Sequence, residues 1–564
     1  MWFLVRASST LLLLICTLHF STTEICAQSA EPASPGDAAD RATSRTERPE
    51  YPIRRGEDLQ ISIDGRLDEA AWDTALTIPL RYEWDPGDGT PPPVETEALL
   101  LFDAEQLYVA FRAHDPDPAS IRAHYLDRDE IDTLVQDDHV LFAIDTYDDQ
   151  RRAFQFRINP FGVQADALFS QVDDFEDFSW DVLWRSAGEI HDDGWTVEAA
   201  IPFHQLRFRR GQQTQTWGFD FQRSYPRNVR HRIAASYRDR DNACVICQTP
   251  RIVGFEGMEP GLNLEVAPTV TANRTDRAPR GTLGQGAALV KGDEDYEGGL
   301  SVRYSPTPDL ALNATINPDF SQVEADVAQL EVNERFALFF PEQRPFFLEG
   351  ADFFSTEIPL VFTRTVVDPS WGLKLTGKAG ANAFGLFTAQ DRTNRLTFPS
   401  INGSRPGAID EDVLTTVGRW RRDIGESSTI GVVYSGREGD GDYYNRVAAV
   451  DGFFRFSGRQ RLSIQAAFTD TQYPDEIAAA FGQPRGDFGG HAVQGFYTYQ
   501  SSDWEGSLAY RSYGSGFRAD AGFTPRVDFE TWRGALTRVH RTDGTDRWYT
   551  ELRLGALAIS TRDG

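Results

Sequence analysis

The chain has 564 residues and a formal net charge of −29, from 85 Asp and Glu against 56 Lys and Arg. That balance excludes a nucleic-acid partner, because nothing in it neutralises a row of phosphates. No run of 18 apolar residues occurs past the N-terminus, which excludes helical membrane spans but not barrel strands, whose signal is alternation.

In chain order, residues 1–27 read as an export signal peptide. Arg6 supplies the positive start, Leu11 to Leu18 the short apolar run, and small residues lead to a cut after Ala27. Residues 28–50, QSAEPASPGDAADRATSRTERPE, are too rich in Pro, Ala, Ser and charge to bury a core, and are expected as a disordered leader. From 51 to 257 the pattern is short strands. IDGRLDEAAWDTA is a turn and a short helix that buries Trp72. ALLLFDAEQLYVAFRAHD is two strands joined at Asp103–Gln106. AFQFRINPFGVQADALF is a hairpin turning at Asn159 to Gly162. In GWTVEAAIPF the residues Trp195, Val197, Ala199 and Ile201 share one face; in WGFDFQR, Trp217, Phe219 and Phe221 do. Many short strands between turn signals predict a β-sandwich with Trp72, Trp195 and Trp217 in its core. Only Cys244 and Cys247, in ACVIC, follow the signal peptide. After export such a near pair is expected as a local disulfide, since zinc would want two further ligands.

From 258 to 564 the alternation changes character. GLNLEVAPTVTAN sets Leu262, Leu264, Val266 and Val270 on one face and Asn263, Glu265, Thr269 and Thr271 on the other. About a dozen such segments follow, with Gly, Ala, Ser and Thr on one side, as a watery lumen allows. They predict an antiparallel outer-membrane β-barrel; the alternative is a second soluble β-domain. The last residues, STRDG, carry no terminal aromatic strand. A truncated barrel is therefore expected, although an open edge in lipid leaves backbone groups unpaired. Within this half, FFPEQRPFFLEGADFF (339–354) mixes six phenylalanines with charges, prolines and a glycine. It is expected to lie in the barrel lumen or at its rim, in an inserted segment 317–360, with Arg344 pairing Glu342 or Glu349. A loop with a small apolar cluster is the plainer alternative. The fold class is thus all-β: an N-terminal sandwich followed by a barrel.

Two stretches resemble known families. IDGRLDEAAWDTA, LLLFDAEQLYVAFRAHDPD, DDHVLFAID and DGWTVEAAIPFHQL, in that order, resemble the family 9 carbohydrate-binding module. NPDFSQVEADVAQLEVNERFALFFPEQRPFFLEG resembles the outer-membrane family called DUF5916, whose members join such a module to a C-terminal barrel. The resemblance implies a Gram-negative outer membrane, with outer-membrane lipid and a polysaccharide or glycoconjugate as partners, and a link to glycan uptake or degradation. In family 9 modules two tryptophans clamp the terminal sugar. The matching places here, near Val135 and in SYRDRDNACVICQTP, hold none. Other aromatics in polar, loop-like sequence are the candidate sugar contacts: Trp84, Tyr125, Trp180, Trp184 and Tyr237. Family 9 modules also carry structural calcium. The acid clusters at Asp137–Asp138, Asp145–Asp149 and Asp173–Asp177 offer oxygen ligands for it, with Asp137, Asp138 and Asp145 foremost. Two other functions stay open. A glycoside hydrolase needs two carboxyls flanking a bond, but 85 acids nominate no pair, and no nucleophile elbow, HExxH or phosphate loop is present. A structural or transport barrel with a non-binding sandwich is the third.

Overall fold

The computed structural model describes residues 17–561 except 24–47, 58, 173, 210–212, 260–262, 275, 277–288, 293, 319–336, 338, 340, 341, 343, 426 and 542–548. The signal peptide apart from 17–23, most of the expected disordered leader, Asp173 and the first part of the inserted segment lie outside the described residues. Among the described residues no helix is long and apolar enough to cross a membrane.

Two sheets face each other over residues 50–255. One has five strands in the order Arg185–His191, Gly194–Pro202, Gln106–His114, Thr96–Phe102 and Leu76–Pro79. The other has nine. Its path runs Phe175–Asp177, Gln164–Ser170, Arg152–Ile158, His139–Asp145, Gln215–Pro226, Arg230–Ala234 and Tyr82–Asp85. Arg251–Phe255 also pairs with Gln215–Pro226, and Glu50–Pro52 with Arg251–Phe255. Period-two alternation sends every second side chain inward. Phe142, Phe156, Phe219 and Phe221 meet Val109, Phe111, Trp195 and Val197 in one core, with Trp217 among them. Trp72 is buried too, but behind the five-stranded sheet, against Leu99, Leu101 and Tyr108. Its Nε1 donates to Glu198 at 2.9 Å.

The second half supplies thirteen of the fourteen strands of one antiparallel meander. It steps from Leu264–Arg274 through each following strand to Tyr549–Ser560, leaving out only a side hairpin, Asn394–Pro399 with Ser404–Ile409. Thr17–Thr23, read from the sequence as part of the export signal, instead forms the fourteenth strand, antiparallel to Tyr549–Ser560. Among the described residues the two edges, Leu264–Arg274 and Thr17–Thr23, do not pair with each other. The pleat is sorted in the sense opposite to the sandwich. In Ser428–Gly439, Val432 and Tyr434 are exposed while Ser435 and Arg437 are buried. In Gln460–Gln472, Ile464 and Phe468 are exposed while Gln465, Thr469 and Thr471 are buried. An apolar outside around a polar inside is the arrangement of a membrane barrel. One end carries turns of two or three residues, such as 308–309, 380–381, 458–459 and 501–503. The other carries long connections, such as 392–412, 473–487 and 514–528.

The longest connection turns back into the lumen. A short helix, Pro345–Leu348, and a 3-10 turn, Ala351–Phe354, press Phe346, Phe347, Phe353 and Phe354 against the inner wall, followed by Ile358 and Leu360. Small wall residues make the room: Val433, Ala449, Ala467 and Ala492 stand in one register row and face the segment. Gly372 and Gly385 complete the seat. A Cβ on Gly372 would fall 3.0 Å from the Phe346 ring, and one on Gly385 2.9 Å from the Phe354 ring. Arg344 takes Glu342, at 2.7 Å, and donates to the carbonyls of Val366 and Thr363. Glu349 goes instead to Arg303, at 2.9 Å, and Arg207, at 3.6 Å.

The sandwich docks on the short-turn end. Arg151 donates to the carbonyls of Gly425 and Ser428 at 3.3 Å each. Lys378 bridges Asp149 and Asp423. Ala243 N donates to Gly458 O at 2.6 Å, and Ser502 N to Asp241 Oδ1 at 2.6 Å. Arg152 reaches the lumen segment itself and pairs with Asp352.

Candidate functional site

The nine-stranded sheet has a second face. With Phe142, Phe154, Phe156, Phe219 and Phe221 committed to the core, the intervening residues must point away from it. The loop closed by a disulfide between Cys244 and Cys247 crosses this face. It lays Ile246 on Leu141, Ala143, Ala153 and Phe169. The rest of the face is a cleft of 420 Å³. Its floor comes from neighbouring strands in register. Gln155 and Asp220 both stand opposite Ala143, and Arg157 and Gln222 both stand opposite Leu141. Arg230, Arg232, Arg238, Glu176 and Trp84 form the sides.

The polar atoms of the floor are only partly used. Arg157 Nη2 donates to Glu176 Oε1 at 2.6 Å, while Nη1 is buried with no hydrogen-bond partner among the described residues. Gln155 Oε1, Asp220 Oδ1 and Ser224 Oγ are in the same condition. Asp220 Oδ2 is taken, by Gln222 Nε2 at 2.6 Å and by Arg238. Buried polar groups are ordinarily paired, so four idle atoms lining one cleft mark a surface built to meet a polar ligand. Two ionisations bear on its charge. Burial pushes His139 down to about 4, so its ring is neutral at pH 7. Burial, with the neighbouring charge of Asp149, pushes Asp145 up to about 7.

Of the aromatics expected to contact sugar, Trp84 alone lines this cleft, and its ring is covered by guanidiniums: Arg238 at 4.6 Å and Arg232 at 5.2 Å. Trp180 lies elsewhere, against Phe154 at 4.9 Å, beside a cavity of 520 Å³ between the sandwich, the lumen segment and the barrel. Tyr125 is exposed and stacked on Phe161 at 4.3 Å, away from both. Trp184 and Tyr237 are interior, contrary to the surface contact expected of them. Trp184 packs on Phe156 and its Nε1 donates to Asp166, and Tyr237 lies edge-on to Tyr82 beneath Gly89.

The three expected calcium ligands do not converge either; each serves its own surroundings. Asp137 accepts from His124 N and Asn159 Nδ2. Asp138 accepts from Arg122 N and Arg227. Asp145 accepts from the amides of Tyr147 and Gln150. The carboxylates that do converge among the described residues are Asp129, Asp166 and Asp181, within 4.8 Å of one another. Arg128 already reaches all three, at 3.3, 2.7 and 2.7 Å, and burial pushes Asp166 up to about 7. The guanidinium of Arg128 is thus seated among the same carboxylate oxygens that a divalent cation would use.

Two family models match the chain. "Carbohydrate family 9 binding domain-like" matches residues 63–243, and "Domain of unknown function (DUF5916)" matches residues 281–372. The order is family 9-like, then DUF5916. Solved structures with some likeness include a family 9 carbohydrate-binding module from Caldicellulosiruptor kristjanssonii in complex with cellotriose. It is 17% identical, covers 37% of this chain and 95% of its own, and has a TM-score of 0.27. A putative carbohydrate-binding protein from Bacteroides uniformis is 13% identical over 37% of this chain and 99% of its own, at a TM-score of 0.30. OmpT, an outer-membrane protein of Vibrio cholerae, is 10% identical over 75% of this chain and 97% of its own, at a TM-score of 0.22. No curated protein matches the chain. The cleft described above lies within the family 9-like domain.

The floor residues Gln155, Arg157, Asp220 and Gln222 were not among the candidates from sequence. They are the polar partners in AFQFRI and WGFDFQR. A signal was there: bulky hydrogen-bonding groups stand on the side of each strand away from the core, where Ser, Thr or Lys would have sufficed for solubility.

Proposed function

We propose that this is an outer-membrane protein whose family 9-like domain binds carbohydrate through the cleft of the nine-stranded sheet. The observation that carries the reading is the set of idle buried atoms on Gln155, Arg157, Asp220 and Ser224, four residues that line one cleft of ligand size. Hydroxyl groups both donate and accept, and a saccharide meets such a mixed set well. The domain sits at the short-turn end of the barrel, which in bacterial outer-membrane barrels is the periplasmic end. The proposed ligand is therefore a glycan met on the periplasmic side, and the barrel holds the domain there. Coupling to uptake enters this reading through the Arg152–Asp352 pair, which joins the domain to the segment filling the lumen.

A glycan array probed with the detergent-purified full chain tests the reading. Binding is expected, and Gln155→Ala and Asp220→Asn are each expected to weaken it about tenfold, the loss of one or two hydrogen bonds. Absence of binding to every glycan, by a protein whose thermal unfolding is normal, removes it.

A further inference from the structure

The whole chain carries 85 acids against 56 bases, yet the cleft reverses that ratio. Arg157, Arg230, Arg232 and Arg238 line it, against Glu176, Asp220 and Asp145. Burial and the charge of Asp149 push Asp145 up to about 7, which reduces its negative charge, and His139 in the same cleft is neutral. Two of the acids are committed within the cleft, Glu176 to Arg157 and Asp220 to Arg238. Arg157 keeps Nη1 free of any partner among the described residues although its side chain is 6% exposed. Arg230 makes no ion pair among the described residues, and Arg232 has only a distant one, 3.9 Å from Asp85. Trp84, the one Trp, Tyr or Phe of the cleft besides Phe169, holds guanidiniums 4.6 and 5.2 Å from its ring, which compete with a neutral sugar for that surface.

We infer that the cleft selects an anionic saccharide, one carrying carboxylate or sulfate groups. This deepens the carbohydrate reading and rests on it. Arg157 Nη1 and the guanidinium of Arg230 meet the anionic group of the ligand. Gln155 Oε1, Asp220 Oδ1 and Ser224 Oγ accept hydrogen bonds from its hydroxyls. Both kinds of group are required, because an inorganic anion leaves the three acceptors unmet and a neutral sugar leaves the guanidiniums unmet. Charge-assisted hydrogen bonds from arginine are about twice as strong as neutral ones.

The test compares ligands that differ in charge alone. Oligogalacturonate is paired with its fully methyl-esterified form, and dextran sulfate with dextran; binding to the full chain in detergent is measured for each. The charged member of at least one pair is expected to bind at least about tenfold more tightly. That advantage should shrink between about 0.05 and 0.5 M salt, as exposed charges are screened. The pair showing the preference tells carboxylate from sulfate. Arg230→Gln, at an exposed position, is expected to remove much of the preference without affecting folding, and Arg157→Gln to remove more. Equal binding of both members of each pair, or binding confined to neutral glycans, overturns the anionic selection and leaves the carbohydrate reading standing. Binding to no glycan overturns both. A preference retained in both arginine variants shows that the charge is read elsewhere, and also overturns it.

Discussion

The phenylalanine-rich segment in the lumen should open separately from the wall around it, and the energetics of two side chains set how often. Phe347 and Phe354 are 3% and 6% exposed, and both stand edge-on to Phe387, at 6.1 and 5.7 Å. Truncating a buried Phe to Ala costs about 3–5 kcal/mol when the surroundings cannot close the gap. Here the wall opposite is Gly385, Ala389 and Ala449, fixed in the strand ladder and too short to move in, though lumen water softens the loss. About 3 kcal/mol for Phe354→Ala is a fair figure. At about 1.4 kcal/mol per factor of ten, the segment then opens on the order of 100 times more often. Amide hydrogen exchange in micelles, followed by mass spectrometry of peptides spanning 344–366, measures this opening directly. Each of Phe347→Ala and Phe354→Ala should speed exchange there about 100-fold. The double variant should fall short of the product, since both rings share Phe387. Peptides within Tyr444–Ser457 should keep their protection, because no ladder bond is touched. Gly385→Ala approaches the same seat from the wall: its new Cβ meets the Phe354 ring at 2.9 Å, and overpacking of about 1–3 kcal/mol should give roughly a tenfold effect. Unchanged exchange at 344–366 in all of these variants would refute the seating argument. Equal loss of protection in the strands would show that the segment is part of the wall's own stability and not a separate plug.

Three other outcomes follow from the same structure. Val450 faces outward near the middle of Tyr444–Ser457, so Val450→Arg should destabilise the fold in lipid vesicles by about 2–4 kcal/mol; an unchanged urea midpoint would mean that this face does not meet lipid. At the junction, burial opposes ionisation of Asp149, but the attraction and hydrogen bond of Lys378 and the charge of Arg151 hold its carboxyl below the usual range. A depressed folded pKa gives stability that is complete above the unfolded value of about 3.9 and lost as pH falls through the folded one. Docking, followed by fluorescence transfer between sandwich and barrel labels, should therefore survive mild acid and fail only below about pH 4, and Asp149→Asn should weaken it at neutral pH. Because Arg128 already pairs with Asp129, Asp166 and Asp181, adding calcium or a chelator should move the midpoint of sandwich unfolding by less than about 1 °C, and a calcium-dependent rise of several degrees would contradict this reading.

What the sequence disclosed, it disclosed through alternation. Trp195, Val197, Ala199 and Ile201 fall on one face of Gly194–Pro202 by counting alone, and they line the core. The lumen segment was also legible, because phenylalanines among charges, prolines and a glycine fit neither a strand nor an amphipathic helix. The cleft was not, because it is assembled across strands. Gln155 and Asp220 are neighbours only through the pairing of each with Ala143, and register between distant strands is not written in either strand alone. Trp184 and Tyr237 misled for a related reason. Polar sequence surrounds both, yet each is enclosed by residues far away in the chain, Asp166 and Phe156 for the first and Gly89 for the second. The acids at 129, 166 and 181 meet with no motif spacing to announce them.

Alternation alone also cannot separate the two halves, since both have it; which set faces the protein's interior decides between a soluble β-domain and a membrane barrel. In the strands after residue 263 the large apolar residues face out: Leu312, Leu373 and Ile464 are all exposed. The residue that follows each of them, Asn313, Lys374 and Gln465 in turn, is buried. Gln494, which stands opposite Gln465 on the neighbouring strand, is buried with it. Lys374 donates to the carbonyls of Phe346 and Glu349, Gln465 accepts from Ile358 N at 2.6 Å, and Gln494 donates to Glu357 O at 3.1 Å. These three inward groups are therefore spent on holding the lumen segment and are not available to the outer surface. A register slip of one residue would exchange the two sets in any strand, but it would strand those hydrogen-bonding groups on the apolar side and force leucines against the segment's backbone. Water cannot be the solvent of the outward face, because soluble monomers rarely expose contiguous apolar patches beyond a few hundred Å², and here the apolar set recurs on strand after strand. The solvent that fits is hydrocarbon, and the soluble alternative for this half fails on the direction in which its leucines point.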